Sequence, residues 1–312
     1  MNLNPSNKTM MAYFIIKGIS DVKELQLPIF LLVLLIYLLT LGGNMTIFLL
    51  VCFDHHLQTP MYFFLANLSI VDLSSSTITL HKVLLIFISG NNSVSFHDCI
   101  TQMYLFASIT GHELFILVAM SYDRYVAVCN PLRYHSVMTN QICHLLASCC
   151  WVLGFLLIIP PLVIVLGFTC YTSNHIDHFF CDMMSLVRLT CSDTSILEIL
   201  ILTEGLILST LLPFILTFLP YGFIIWTIIK IPTSAGRRKA FYTCSSHLTV
   251  VTTLYAILTF QYILPTPVNS ADKKFFSLFN TAAIPMLNPL IYSLKNKDVK
   301  SALRRWFMKR RI

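Results

Sequence analysis

Seven times along this chain an apolar run of about 20 residues or more is closed by a short polar break, and that repetition leaves few architectures open. The runs fall near 27–52, 60–87, 99–128, 142–168, 197–229, 241–263 and 275–294. A hydrocarbon layer about 30 Å thick needs about 20 mostly apolar residues per spanning helix, so each run is long enough to cross it. A closed β-barrel also satisfies every backbone polar group in lipid, but its strands would read as alternating segments of about 10 residues. Runs such as 196–219 are instead apolar on all sides. The expected fold is an all-α membrane protein, a bundle of seven transmembrane helices. Composition agrees: 56% of residues are hydrophobic and 11% charged, against roughly 45–50% and 25% in soluble domains.

Residues 1–26 read as a polar outer tail, 27–294 as the spanning domain and 295–312 as a cytoplasmic tail. The first 26 residues lack a basic stretch leading into an apolar core and a cleavage site, so the first helix is expected to insert as its own anchor. Basic residues gather at Arg133, at Lys230 with Arg237, Arg238 and Lys239, and from Lys295 to Arg311. Cytoplasmic loops carry such an excess, which places the C-terminus inside and, with an odd number of spans, the N-terminus outside. The net charge of +7 sits at membrane ends, where lipid headgroups and not nucleic acid are its partners. Residues 297–311, with Trp306 and Phe307, read as an amphipathic helix on the inner leaflet, the plain alternative being an unstructured basic tail.

Four of ten cysteines, Cys99, Cys170, Cys181 and Cys191, fall on the oxidising outer side, where three pairings are open. The other six lie in or near spans and suit packing. Asn7-Lys8-Thr9 is a glycan acceptor sequon on the outer tail, and Asn91-Asn92-Ser93 is a second. The matching triplets at Asn44 and Asn67 sit inside spans, out of reach of the glycosylation machinery.

A charge near the bilayer centre costs at least about 2.5–3.5 kcal/mol, so Asp72, Glu113 and Arg124 each ask for a function. Glu113 and Arg124 are eleven residues apart, about three helical turns, which puts them on one face roughly 16 Å apart. Asp72 and Glu113, with Ser69 and Ser75, offer oxygen atoms of the kind that hold a small hard cation, sodium being preferred, or shared protons. Alternatively both acids are neutral and hydrogen-bond to Asn44 and Asn288. At the cytoplasmic end, Asp123 can pair with the adjacent Arg124 and release it, a two-state element that a ligand can bias. In the last span Pro285 and Pro289 each remove an intrahelical hydrogen bond, and Asn288 is expected to satisfy the freed backbone groups.

In order along the chain, Gly43-Asn44, Thr59-Pro60-Met61-Tyr62-Phe63-Phe64-Leu65 with Asp72, Met120-Ser121-Tyr122-Asp123-Arg124-Tyr125-Val126-Ala127-Val128-Cys129, Lys239-Ala240-Phe241-Tyr242-Thr243-Cys244-Ser245-Ser246-His247-Leu248 and Pro285-Met286-Leu287-Asn288-Pro289-Leu290-Ile291-Tyr292 resemble vertebrate odorant receptors of the rhodopsin-like G-protein-coupled class. The resemblance covers nearly the whole chain. It departs at Pro220, where serine is usual, at Leu254-Tyr255-Ala256, where Phe-Tyr-Gly is common, and at His81, where proline is usual.

The resemblance implies disulfides Cys99–Cys181 and Cys170–Cys191 and a sodium site at Asp72 and Glu113. It implies a switch and G-protein surface at Asp123, Arg124, Tyr125, Tyr221, Arg237, Arg238, Lys239, Asn288, Pro289 and Tyr292. It also implies a ligand pocket in the outer half, from Met103, Phe106, Ala107, Thr110 and Gly111 through Gly205, Leu208 and Ser209 to Tyr255, Thr259, Tyr262, Leu278 and Thr281. These residues are mostly apolar with a few hydroxyls, which suits small volatile organic ligands. Phe106 stands where amine receptors carry an acid, so a cationic amine lacks its partner there. The expected partners are therefore an odorant, the lipid membrane and a stimulatory heterotrimeric G protein that raises cyclic AMP. A channel or transporter would use the intramembrane acids as an ion path, but no inverted repeat is visible. An enzyme is disfavoured, since neither His-Glu-x-x-His nor Gly-x-Ser-x-Gly occurs.

Overall fold

Each long apolar run folds as helix, because inside lipid a helix satisfies all its own backbone groups. The structure is a computed structural model and describes residues 12–20, 22–262 and 270–309. The helices are α1 (Lys23–Phe53), α2 (Pro60–Ser89), α3 (Phe96–Cys129), α4 (Asn140–Leu166, interrupted at 157–158), α5 (Ser195–Lys230), α6 (Ser234–Tyr262), α7 (270–295) and α8 (Lys297–Lys309). Among the described residues α1 to α5 are long and apolar enough to cross a membrane, while α6 contributes the shorter apolar stretch Cys244–Thr259. The seven long helices form the bundle, and α8 follows as the amphipathic helix.

Local sequence sets the helix ends. Pro60 opens α2, where its missing N–H costs nothing, and Gly90 closes it at φ +68, a conformation open to glycine. Ser95 caps α3 by accepting from the Asp98 N–H at 3.1 Å. The helix α6 starts at Ser234, before the apolar run, because Arg237, Arg238 and Lys239 extend it, exposed, beyond the span.

The first 26 residues are not all irregular tail. Residues Tyr13–Ile16 form strand β1, which lies between β2 (Ser93–Ser95) and β3 (His175–Ile176). The β1/β2 pair is antiparallel, with Tyr13 opposite Ser95, and β1/β3 is parallel, with Ile15 opposite His175. Phe14 and Ile16 point inward from alternate positions and are fully buried, whereas Tyr13 is exposed. Helix α1 also begins four residues earlier than the apolar run suggests.

Four apolar clusters form among the described residues, and the two largest lie one above the other as layers. The inner one joins α2, α3, α6 and α7 through Leu68, Leu117, Val251 and Tyr292. The outer one joins the small sheet to α3, α4 and α5 through Phe14, Met103, Val165 and Leu197. At midheight α3 and α4 touch backbone to backbone: a Cβ on Gly154 would lie 2.8 Å from the Ser108 carbonyl. Beside it His112 stacks on Trp151 at 3.9 Å, and Trp151 Nε1 donates to Asn67 Oδ1 on α2 at 3.2 Å. Outside, leucines such as Leu31, Leu35 and Leu38 are exposed along α1, the face that lipid covers.

Candidate functional site

The outer end is roofed by the loop between α4 and α5, pinned by the disulfides Cys99–Cys181 and Cys170–Cys191. The Cys181 N–H also donates to Gln102 Oε1 at 3.0 Å, while Gln102 Nε2 donates to the Ile78 carbonyl at 2.7 Å. Phe180 meets Phe106 edge-on at 4.9 Å, and the buried Lys274 at the top of α7 pairs with Asp177 at 2.8 Å. Burial lowers the pKa of His178, which sits under this roof against Phe179 and Phe180.

Beneath the roof, the positions implied for a pocket separate into groups. Met103 is buried in the outer layer, and Phe106 packs with Leu278 between α1, α2 and α7. Ala107 is half-buried on α3. Tyr255 is buried, its ring edge-on to Phe214 at 5.1 Å. The hydroxyls of Thr110, Thr259 and Thr281 donate to carbonyls of their own helices, Phe106, Tyr255 and Ser277, at 3.0, 2.7 and 2.9 Å. They therefore offer a ligand only acceptor lone pairs. A Cβ on Gly111 would lie 3.7 Å from the Gly154 Cα of α4, so Gly111 stands at the α3–α4 contact. The side chain of Tyr262 lies outside those described.

The face α5 turns inward is decided by a π-helical turn at Ile201–Leu211, where Thr210 Oγ1 reaches back five residues to the Gly205 carbonyl. Along α5 the buried positions are Leu197, Pro213, Thr217, Tyr221 and Ile224, and within the π-helical turn Ile201, Glu204, Leu206, Ser209 and Thr210 are half-buried. Gly205 and Leu208 are exposed. Glu204, an acid in the same segment, is half-buried. Its carboxyl group is legible in the sequence as an acid within a mostly apolar run.

At midheight Asn288 Nδ2 donates to both Asp72 oxygens at 3.1 Å, and Glu113 lies within electrostatic reach of Asp72. Glu113 Oε1 and Ser76 Oγ are buried without hydrogen-bond partners, whereas Ser69 Oγ turns back to the Leu65 carbonyl. Of the oxygen atoms expected around Asp72 and Glu113, the Ser69 hydroxyl is thus spent on its own helix. Asn288 is spent on Asp72, so it does not mend the proline kink. Asn44 does, donating to the Pro285 carbonyl at 2.9 Å.

At the inner end Asp123 is fully buried and doubly held. Its Oδ2 accepts from Arg124 Nε at 2.9 Å and from an Arg124 terminal nitrogen, and its Oδ1 accepts from the Tyr134 hydroxyl at 2.7 Å. Burial, then the Asp123 carboxylate, pushes the Tyr134 pKa well above its usual range, so this hydroxyl remains a donor. Tyr221 is hydrogen-bonded to His247 Nδ1 at 2.6 Å, and Tyr125 packs against Phe223. Tyr292 is buried beside these groups, within electrostatic reach of both Asp72 and Arg124. Arg237, Arg238 and Lys239 are exposed on the extension of α6 beyond its apolar stretch. Arg305 of α8 pairs with Asp54 at 2.7 Å; burial raises the Asp54 pKa, but Arg305 and His56 outweigh it and hold it at about 2.

Asn91 is exposed in the outer loop, and Asn7 lies outside the described residues.

The olfactory receptor family model matches residues 33–310. Similar curated proteins include human olfactory receptor 6C3, 43% identical with 96% of each chain covered, and human olfactory receptor 2AP1, 43% identical over 94% of this chain and 95% of its own. Mouse olfactory receptor 8G50 is 42% identical over 98% of each.

Proposed function

This chain belongs to the olfactory receptor family, and from that premise we propose how an odorant in its outer half is reported to a G protein at its inner face. It is an odorant receptor, a multi-pass membrane protein and not an enzyme. The ligand is a small volatile organic molecule seated among Met103, Phe106, Ala107, Ser209, Tyr255, Leu278 and Thr281. Its affinity comes largely from apolar burial, at about 25 cal/mol per Å², with one or two hydrogen bonds setting its orientation. The N-terminus, glycosylated at Asn7, faces outward across the plasma membrane, and the C-terminus is cytoplasmic.

The observation that supports the coupling mechanism best is the closed inner cluster. Arg124 is bound to Asp123, and Asp123 is bound in turn by Tyr134, so the guanidinium is withheld from a partner. A ligand favouring an arrangement in which this cluster opens frees Arg124 for the backbone carbonyls of a G protein. The partner is a stimulatory heterotrimer that raises cyclic AMP, contacting Arg124, Tyr221 and the exposed Arg237 to Lys239 segment. Sodium bound by Asp72 and Glu113 would stabilise the closed arrangement by neutralising two acids in low dielectric. A sodium-dependent response lost in Asp72→Asn supports that site, and a sodium-independent one removes it.

The test is cyclic AMP in reporter cells exposed to mixed volatiles. A concentration-dependent rise that Arg124→Ala abolishes at equal surface expression is expected. Silence across the panel, or a ligand-gated current without G protein, overturns the mechanism.

A further inference from the structure

Helix α5 carries one acid deep in its span: Glu204 lies roughly 13 Å below the outer end at Ser195. The cost of an intramembrane charge makes such a residue rare without a partner. None is supplied locally, because α5 holds no basic residue before Lys230 and Glu204 forms no ion pair among the described residues. Its Oε2 is shielded from solvent and accepts no hydrogen bond. Within the π-helical turn it is half-buried, as Ser209 is. Ile201, one turn above on the same face, packs on the outer layer that contains Met103.

We propose that Glu204 is a polar anchor of the ligand pocket, and that it takes the ammonium group of a small organic amine. Phe106 removes the acid that amine receptors carry on α3, and Glu204 supplies one from α5. An amine bound there forms a charge-assisted hydrogen bond with Oε2 in a low-dielectric site, while its alkyl or aryl body lies toward Met103 and the apolar wall. The inference rests on the receptor reading above.

The experiment measures cyclic AMP in cells expressing the wild type, Glu204→Gln or Glu204→Asp, with surface expression measured in parallel. The probes are hexylamine, N,N-dimethylhexylamine and phenethylamine, each beside its isosteric alcohol or hydrocarbon. Expected are amine responses that Glu204→Gln weakens about tenfold or more, that Glu204→Asp partly keeps, and alcohol responses that change little. Responses to neutral odorants without any to amines, or amine responses unchanged in Glu204→Gln, overturn the proposal and leave the receptor reading standing. Silence to every compound overturns both.

Discussion

The side-chain amide of Asn44 on α1 donates at 2.9 Å to the carbonyl of Pro285 on α7, the acceptor that Pro289 deprives of its helical N–H. The neighbouring Gly43 makes the approach feasible, since a Cβ there would lie 2.9 Å from Pro289 Cγ. One residue removes the clash and the next fills the vacancy, so α1 is fastened to the kink of α7.

Asn44→Ala leaves that buried carbonyl unsatisfied and should cost about 1–3 kcal/mol. Gly43→Leu should cost a similar amount by forcing the helices apart, because the proline ring is too stiff to yield. Thermal unfolding of the purified receptor in detergent measures both. A midpoint unchanged by Asn44→Ala would show that the contact contributes nothing.

Tyr134→Phe removes one of the hydrogen bonds holding Asp123 and leaves Arg124 in place. The loss, about 0.5–1.5 kcal/mol, shifts the closed-to-open ratio by about two- to tenfold if the bond exists only in the closed state. Basal cyclic AMP normalised to surface expression should therefore rise. A fall would mean that Tyr134 supports the open arrangement instead.

The two disulfides close chain separations of 82 and 21 residues. Loop-closure entropy makes the longer one worth about 1 kcal/mol more, so Cys99→Ser should lower the melting midpoint further than Cys170→Ser. Cys181→Ser combined with Cys99→Ser should add little to either alone. Full additivity of those two changes would disprove the bond.

His178 gives the outer roof a pH dependence. Burial depresses its folded pKa below the unfolded value near 6.5. The unfolded state therefore binds more protons between the two, and stability should be full above about pH 6.5 and decline as pH falls below it. Melting curves between pH 7.5 and 5.5 should show this decline, and His178→Phe should flatten it. An equal decline in the variant assigns the effect to other groups.

Asp54 behaves oppositely in range. Its folded pKa is depressed to about 2, so its pairing with Arg305 is fully present above its unfolded value of 3.8 and is lost only as pH falls through about 2. The docking of α8 should be insensitive to pH from 5 to 8, yet loosen in Asp54→Asn by about 1 kcal/mol. The fluorescence of Trp306, which packs against the inner layer, should report it once the other two tryptophans are replaced. A spectrum unchanged in Asp54→Asn would show that the ion pair does not hold the helix.

The sequence by itself determined the seven spans, the amphipathic α8 and the polar residues of the bilayer interior, because hydrophobic run length and charge placement are local properties that lipid reads directly. It could not decide which partner each polar group meets. Asn44 finds Pro285 across 241 residues and Tyr134 finds Asp123 around a loop turn, and both depend on how helices pack. Nor could it orient α5. A helix apolar on nearly every side carries no amphipathic stripe to point with, so only its packing within the bundle, π-helical turn included, left Glu204 half-buried and Leu208 exposed.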